Sequence, residues 1–166
     1  PTVMSNFGVL KALEQANLNY ETTAVGDKNV FACMHANGYS LGGEQSGHVI
    51  FGDIASTGDG ILTSLRLMEA IRAERETLSQ LCAPVKLYPQ LLTNVRVADK
   101  DAAMNDAAVL ESVKAAEEFL GDRGRVLLRA SGTEPLIRVL AEAPTDELCA
   151  EASEFMLKAL EPLRAE

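Results

Sequence analysis

Apolar positions recur along the chain at spacings that predict most of its elements. Leu10, Leu13 and Ala16 fall on one helical face, with Ser5 placed as its N-cap. Asn17-Leu18-Asn19 breaks that pattern, and Tyr20 to Val25 reads as a short strand. Asp27 is a plausible N-cap for a helix with Val30, Phe31 and Met34 on its apolar side, stopped by Gly38. His48 to Phe51 fits a short buried strand. Asp59 caps the most regular helix, where Ile61, Leu62, Leu65, Met68 and Ile71 predict a core-facing stripe. Thr77 to Cys82 adds a short helix.

Pro84 to Pro89 changes the style and reads as a linker, dividing the chain into 1–87 and 88–166. Beyond it, Leu91–Val97 is strand-like and Ala107–Leu120 is helical through Val109, Val113 and Ala116. Gly121-Asp122-Arg123-Gly124 is a turn. Arg125–Leu128 and Leu136–Ala141 are strands around a loop. Thr145 caps a last helix carrying Leu148, Ala152, Phe155, Met156 and Ala159. The predicted fold class is therefore a three-layer α/β partial domain, then a small α+β domain of order β-α-β-β-α with helices on one sheet face. Pro1 to Ser5 looks like the end of a strand entering a helix, which predicts that the first domain begins upstream.

Composition narrows the function classes. Apolar residues are 47% and charged residues 23%, the profile of a globular protein. Net charge is −9, from 24 acidic against 15 basic residues, which disfavours nucleic acid as a partner. Cys33, Cys82 and Cys149 form no C-x-x-C pair, so the expectation is no zinc site and reduced, mostly buried thiols in a cytoplasmic protein. No apolar run reaches the roughly 18 residues of a membrane span, and no signal peptide is visible.

Two loops carry candidate chemistry. Gly42-Gly43-Glu44-Gln45-Ser46-Gly47-His48 sets three glycines among acceptors, donors and a titratable ring. Such a mixture suits a ligand rich in hydroxyls, the glycines allowing a tight turn and close approach. It also suits a polar turn bonded to its own backbone. The second loop, Arg129-Ala130-Ser131-Gly132-Thr133-Glu134-Pro135, offers a guanidinium, two hydroxyls and loop N–H groups, with Arg138 just downstream. These are the parts of an anion cradle, or of a long hairpin turn with a solvated arginine. Thr57-Gly58-Asp59-Gly60 has one carboxylate and reads as a helix start rather than a metal loop. Asp27 and Lys28 read as a helix cap and a surface lysine.

Five segments occur in the order of the α-D-phosphohexomutase superfamily, which the chain resembles over nearly its whole length. They are Thr2-Val3-Met4-Ser5-Asn6, Ala24-Val25-Gly26-Asp27-Lys28, Gly42 to His48, Thr57 to Gly60 and Arg129 to Pro135. Pro144-Thr145-Asp146-Glu147-Leu148 adds to the likeness. Gln45 and Gly132 resemble the bacterial phosphoglucosamine mutases within the superfamily, where phosphomannomutase and phosphoglucomutase relatives more often have Met and Asn. Ala130 departs from the Pro of many glucosamine-type members, and is expected to alter loop stiffness only.

The resemblance implies a carboxy-terminal piece of a four-domain enzyme: 1–87 as the latter part of its third domain and 88–166 as its fourth. It implies interconversion of glucosamine 6-phosphate and glucosamine 1-phosphate through a phosphoserine and a hexose 1,6-bisphosphate. That reaction serves amino-sugar nucleotide and cell-wall precursor synthesis. Glu44, Gln45, Ser46 and Gly47 would bind the sugar, and His48 would orient or buffer a proton at the reacting oxygen. Arg129, Ser131, Gly132, Thr133 and Arg138 would bind phosphate. The parent would use Mg²⁺, but neither a T-A-S-H-N-type serine segment nor a D-G-D-x-D-R metal loop occurs in these 166 residues. The piece alone is thus expected to be inactive, with a phosphosugar and the missing amino-terminal domains as partners. A homodimer of the parent stays open, as do a phosphomannose or phosphoglucose preference and a stand-alone phosphosugar-binding module.

Overall fold

The computed structural model describes residues 1–165. Two compact units divide the chain, Pro1–Leu87 and a second starting at Tyr88.

The first unit is α/β. Helix α1 (Phe7–Gln15) is capped by Asn6, whose side chain accepts from the Gly8 N–H. Ser5, expected in that role, is buried and its hydroxyl accepts from the Thr2 N–H at 3.1 Å. The strand expected over Tyr20–Val25 reduces to a single parallel bridge, Thr2 to Thr23. Helix α2 (Asp27–Asn37) takes Gly26, not Asp27, as its N-cap, and Gly38 ends it in the left-handed region at φ 70°. Strands β1 (Leu41–Gly43) and β2 (Val49–Phe51) pair antiparallel, with Gly42 opposite Ile50. Val30 and Met34, one turn apart on α2, bury against Ile50 as the unit's core cluster. A Cβ at Gly42 would lie 2.3 Å from Met34 Sδ and 2.6 Å from Val30 Cγ1. The glycine therefore admits the helix onto the strand.

Helix α3 (Gly60–Glu74) begins where expected, with Asp59 accepting from Ile61 and Leu62 N–H. Its apolar stripe is not core-facing: no α3 residue is buried, and Ile61 is 78% exposed. Helical spacing reports that a face wants cover, without naming the cover. Helix α4 (Leu78–Cys82) opens on a capping box between Thr77 and Gln80.

The second unit is a three-stranded antiparallel sheet in the order β3 (Gln90–Arg96), β5 (Leu136–Glu142), β4 (Arg125–Ala130). Helices α6 (Ala107–Leu120) and α7 (Asp146–Leu160) share one core with one face of this sheet. Alternate strand residues Val95, Val126, Ile137, Val139 and Ala141 meet Val109, Ala116, Cys149, Ala152 and Met156 there. Phe155, expected on that face, is 38% exposed, while Leu160 is fully buried. A helix absent from the sequence reading, α5 (Lys100–Asn105), is capped by Asp99 and anchored by buried Ala103.

The opposite sheet face is layered across the strands. Gln90, Glu142 and Arg125 form one row, with fully buried Glu142 accepting from both neighbours. Leu92, Leu140 and Leu127 form the next, and Asn94, Arg138 and Arg129 the row at the loop end. All three cysteines are free thiols, but Cys149 alone is buried, with Cys33 half-buried and Cys82 exposed, against the expectation of mostly buried thiols. Burial pushes the Cys149 thiol pKa up.

Candidate functional site

In the first unit, β1 and β2 hold the loop Glu44–His48 as a hairpin. The Glu44 N–H donates to the His48 carbonyl at 3.0 Å, and the Gly47 N–H to the Glu44 carbonyl at 3.0 Å. Gly47 supplies the turn at φ 95°, a region costly for other residues. Of the glycines expected to allow ligand approach, Gly42 and Gly43 instead lie in β1.

Side chains converge within this hairpin. His48 Nδ1 lies 3.2 Å from Glu44 Oε1 and 3.1 Å from Ser46 Oγ. The Gly26 N–H donates to the other Glu44 oxygen at 3.2 Å, a direction opened by φ 120° at Gly26. Burial alone would raise the Glu44 pKa, but hydrogen bonds from His48, Ser46 and Gly26 outweigh it and hold the carboxyl below its ordinary value. An ionised Glu44 only accepts, so the matching imidazole form carries its proton on Nδ1, leaving Nε2 as the second nitrogen. A Cβ at Gly58 would approach His48 Cβ to 3.1 Å, so the Thr57–Gly60 segment backs the ring. Asp27, Val30, Gly43, Glu44, His48 and Ile50 line a shallow depression. Gln45 and Ser46 are exposed.

Strand β4 runs further than expected, so Arg129 and Ala130 belong to it and the loop proper is Ser131–Pro135. The extension sets Arg129 directly opposite Arg138. Directly opposed residues share a sheet face, and like charges there repel. The Arg129 guanidinium has no hydrogen-bond or ion-pair partner among the described residues. Arg138 Nε is buried with no partner, and Arg138 Nη2 meets Glu134 Oε2 only at 3.8 Å. A buried unpaired donor is costly unless something completes it.

Ser131 stands differently from the expectation of an open donor. It is buried, its N–H already donates to the Leu136 carbonyl at 2.9 Å, and its hydroxyl accepts from the Glu134 N–H at 3.3 Å. The Gly132 and Thr133 N–H groups and the Thr133 hydroxyl have no partner among the described residues. Two nearby groups escaped sequence reasoning. Lys100 Nζ donates to the Ser131 carbonyl at 2.7 Å from 31 positions away, and Asn94 flanks Arg138 on β3. Neither lies in a motif that could have marked it.

The described residues include no group of three or more His, Cys, Asp or Glu able to hold a metal ion. Asp59 spends its carboxylate on capping α3. Magnesium therefore does not fit the residues present, and no step below runs through it. No helix among the described residues is long and apolar enough to cross a membrane.

Comparison with known proteins identifies this frame. The model for the phosphoglucomutase/phosphomannomutase α/β/α domain III matches residues 1–88, and that for the C-terminal domain matches residues 92–159. Phosphoglucosamine mutase of Lachnospira eligens is 54% identical over 148 residues, covering 89% of this chain and 33% of that protein. The Bacillus cytotoxicus phosphoglucosamine mutase is 48% identical over 99% of this chain and 36% of its own length. The chain thus spans about a third of these relatives. An Aspergillus fumigatus N-acetylphosphoglucosamine mutase structure shares the fold, with a TM-score of 0.82 at 20% identity over 97% of this chain and 37% of that one. Structures of that enzyme include complexes with glucose 1,6-bisphosphate and with GlcNAc-6P and magnesium. The chain belongs to the phosphoglucomutase/phosphomannomutase family, matching its domain III and its C-terminal domain.

Proposed function

We propose that this chain is the substrate-gripping part of a phosphoglucosamine mutase: the latter part of the third domain over 1–87 and the fourth domain over 88–166. The observation that carries this reading is the Arg129–Arg138 pair. Two directly opposed arginines, one with a buried unpartnered nitrogen, stand on the strands that lead into and out of a loop with two N–H groups unpartnered among the described residues. Such a cluster is stabilised by a dianion such as phosphate.

The parent's phosphoserine would donate its phosphoryl group to the free sugar oxygen. The resulting hexose 1,6-bisphosphate would turn over and return its other phosphoryl group to the serine. One site must hold the non-reacting phosphate in either orientation, which suits the Arg129, Arg138, Gly132 and Thr133 donors. Another must hold the ring. Glu44, kept ionised, and Ser46 can meet ring hydroxyls, while Gln45 adds an exposed amide and Gly47 the turn. His48, oriented through Nδ1, presents Nε2 as a proton acceptor or donor. Catalysis here is largely positioning and charge stabilisation. The serine and the Mg²⁺ loop would come from the amino-terminal part, and the open stripe on α3 offers apolar surface for it. A cytoplasmic place of action belongs to the same reading.

The chain alone is expected to show no mutase activity with any hexose phosphate, and to gain it when joined to the amino-terminal two thirds. A coupled assay with Mg²⁺ and glucose 1,6-bisphosphate checks both. Turnover by the isolated, contaminant-free chain would contradict the reading. In the joined enzyme, Glu44→Ala should depress activity on all sugar phosphates alike. Gln45→Met should lower kcat/KM for glucosamine phosphate relative to glucose phosphate by roughly tenfold, the size of one partly solvated hydrogen bond. Equal effects on both sugars would remove Gln45 as a specificity residue.

A further inference from the structure

The Ser131–Gly132 peptide unit is held from one side only. Its carbonyl accepts from Lys100 Nζ at 2.7 Å, while its N–H, that of Gly132, has no partner among the described residues. The described residues contain no cis peptide bond, and in a trans peptide C=O and N–H point in opposite directions. Fixing the oxygen toward Lys100 therefore fixes the Gly132 N–H away from it. Ser131 is tied through its own N–H to the Leu136 carbonyl and through its hydroxyl to the Glu134 N–H, but neither bond involves the atoms of this peptide unit. Gly132 lacks a Cβ, and a Cβ built there would meet nothing within 4 Å. A glycine so placed lets the preceding peptide turn over at little steric cost.

Lys100 is itself well anchored. Asp99 accepts from the Asp101 and Ala102 N–H groups, so the helix start is fixed, and Ala103 is buried in the sheet–helix core. An ammonium on the carbonyl also polarises the peptide and strengthens its N–H as a donor.

We propose that Lys100 is a positioning residue for anion binding. By gripping the Ser131 carbonyl it selects the peptide orientation that presents the Gly132 N–H as a donor. The inference rests on the phosphate reading of the Arg129–Arg138 site and names what keeps that site pre-formed. Apparent affinity scales with the fraction of molecules already in the binding-competent form. A loop released to spend about a tenth of its time competent loses about tenfold in affinity.

The test is an NMR titration of the intact chain with inorganic phosphate, on the unaltered protein, Lys100→Met and Lys100→Arg. The unaltered chain should shift Gly132 and Thr133 amides as phosphate is added. Lys100→Met should move or split the Gly132 amide signal before any phosphate is present and weaken binding about tenfold. Lys100→Arg, which retains a donor, should recover most of the affinity. The Met-to-wild-type ratio should also persist in about 1 M KCl, where charge effects beyond roughly 3 Å are screened. A ratio that collapses in salt would make Lys100 a mere charge and overturn its positioning role. Unchanged Gly132 signals with unchanged affinity would do the same and leave the phosphate site standing. No phosphate shift at Gly132 and Thr133 in the unaltered chain would remove the site and this inference together. Lys100→Ala carries the same expectations should Met disturb the packing, which unchanged amide signals of Val95 and Val139 would exclude.

Discussion

Replacing Arg129 by Met is expected to weaken phosphate binding by about 10- to 150-fold, the worth of roughly 1.5–3 kcal/mol in charge-assisted hydrogen bonds. The same change should not destabilise the ligand-free chain. Arg129 has no partner of its own and stands opposite Arg138, so its removal relieves a like-charge cross-strand pair. That relief is of order 0.2–1 kcal/mol, and Met keeps most of the aliphatic packing. Unfolding of the free protein should thus occur at an unchanged temperature or a few degrees higher. The opposite signs separate a binding residue from a structural one. An arginine that merely held the sheet together would lose stability on substitution. Isothermal titration with phosphate and thermal unfolding of the same sample read both numbers.

Gly42→Ala is expected to destabilise the first unit by about 1–3 kcal/mol, the usual range for forcing extra volume into a packed site. The new methyl would overlap Met34 Sδ at 2.3 Å and Val30 Cγ1 at 2.6 Å. Met34 can yield, but Val30 is stiff at its branched carbon, and both are buried. The core cluster of that unit contains only Val30, Met34 and Ile50 as buried residues, each worth roughly 1.5–3 kcal/mol on burial. It has little margin for a displaced helix. Denaturant unfolding followed by NMR should show amides of Ile50 and Met34 lost early, with those of Val139 and Met156 unaffected. Equal midpoints for Ile50 in both proteins would refute the tight packing at Gly42.

These expectations also mark how far the sequence could be read. The strands around Ser131–Pro135 were legible because Arg125–Leu128 and Leu136–Ala141 are short runs dominated by Val, Ile and Leu on either side of a loop with Gly132 and Pro135. A hairpin between them brings Arg129 and Arg138 near each other, although the extra pairing that makes them directly opposed depends on register. The Asp59 and Thr145 caps were equally local and equally readable. Contacts set by distant packing were not. Lys100 reaches Ser131 across 31 positions, and Gly26 serves Glu44 across 18. Gly42 looked like loop glycine because nothing in its neighbourhood announces a helix lying on it. The α3 stripe had helical periodicity, which reports amphipathicity and is silent about whether its cover lies within the same stretch of chain. Tyr20–Val25 has strand composition but only one bridging neighbour, and composition cannot supply a ladder.

The central claim is that the Arg129, Arg138, Gly132 and Thr133 donors form one anion site. Titrating the intact chain with inorganic phosphate while recording amide and arginine side-chain NMR signals tests it most directly. The account predicts that the Gly132 and Thr133 amides and the Nε–H signals of Arg129 and Arg138 shift together along one saturating curve. The Ser131 amide, already committed to Leu136, should move less. Shifts confined to other residues, with these four signals still, would contradict it.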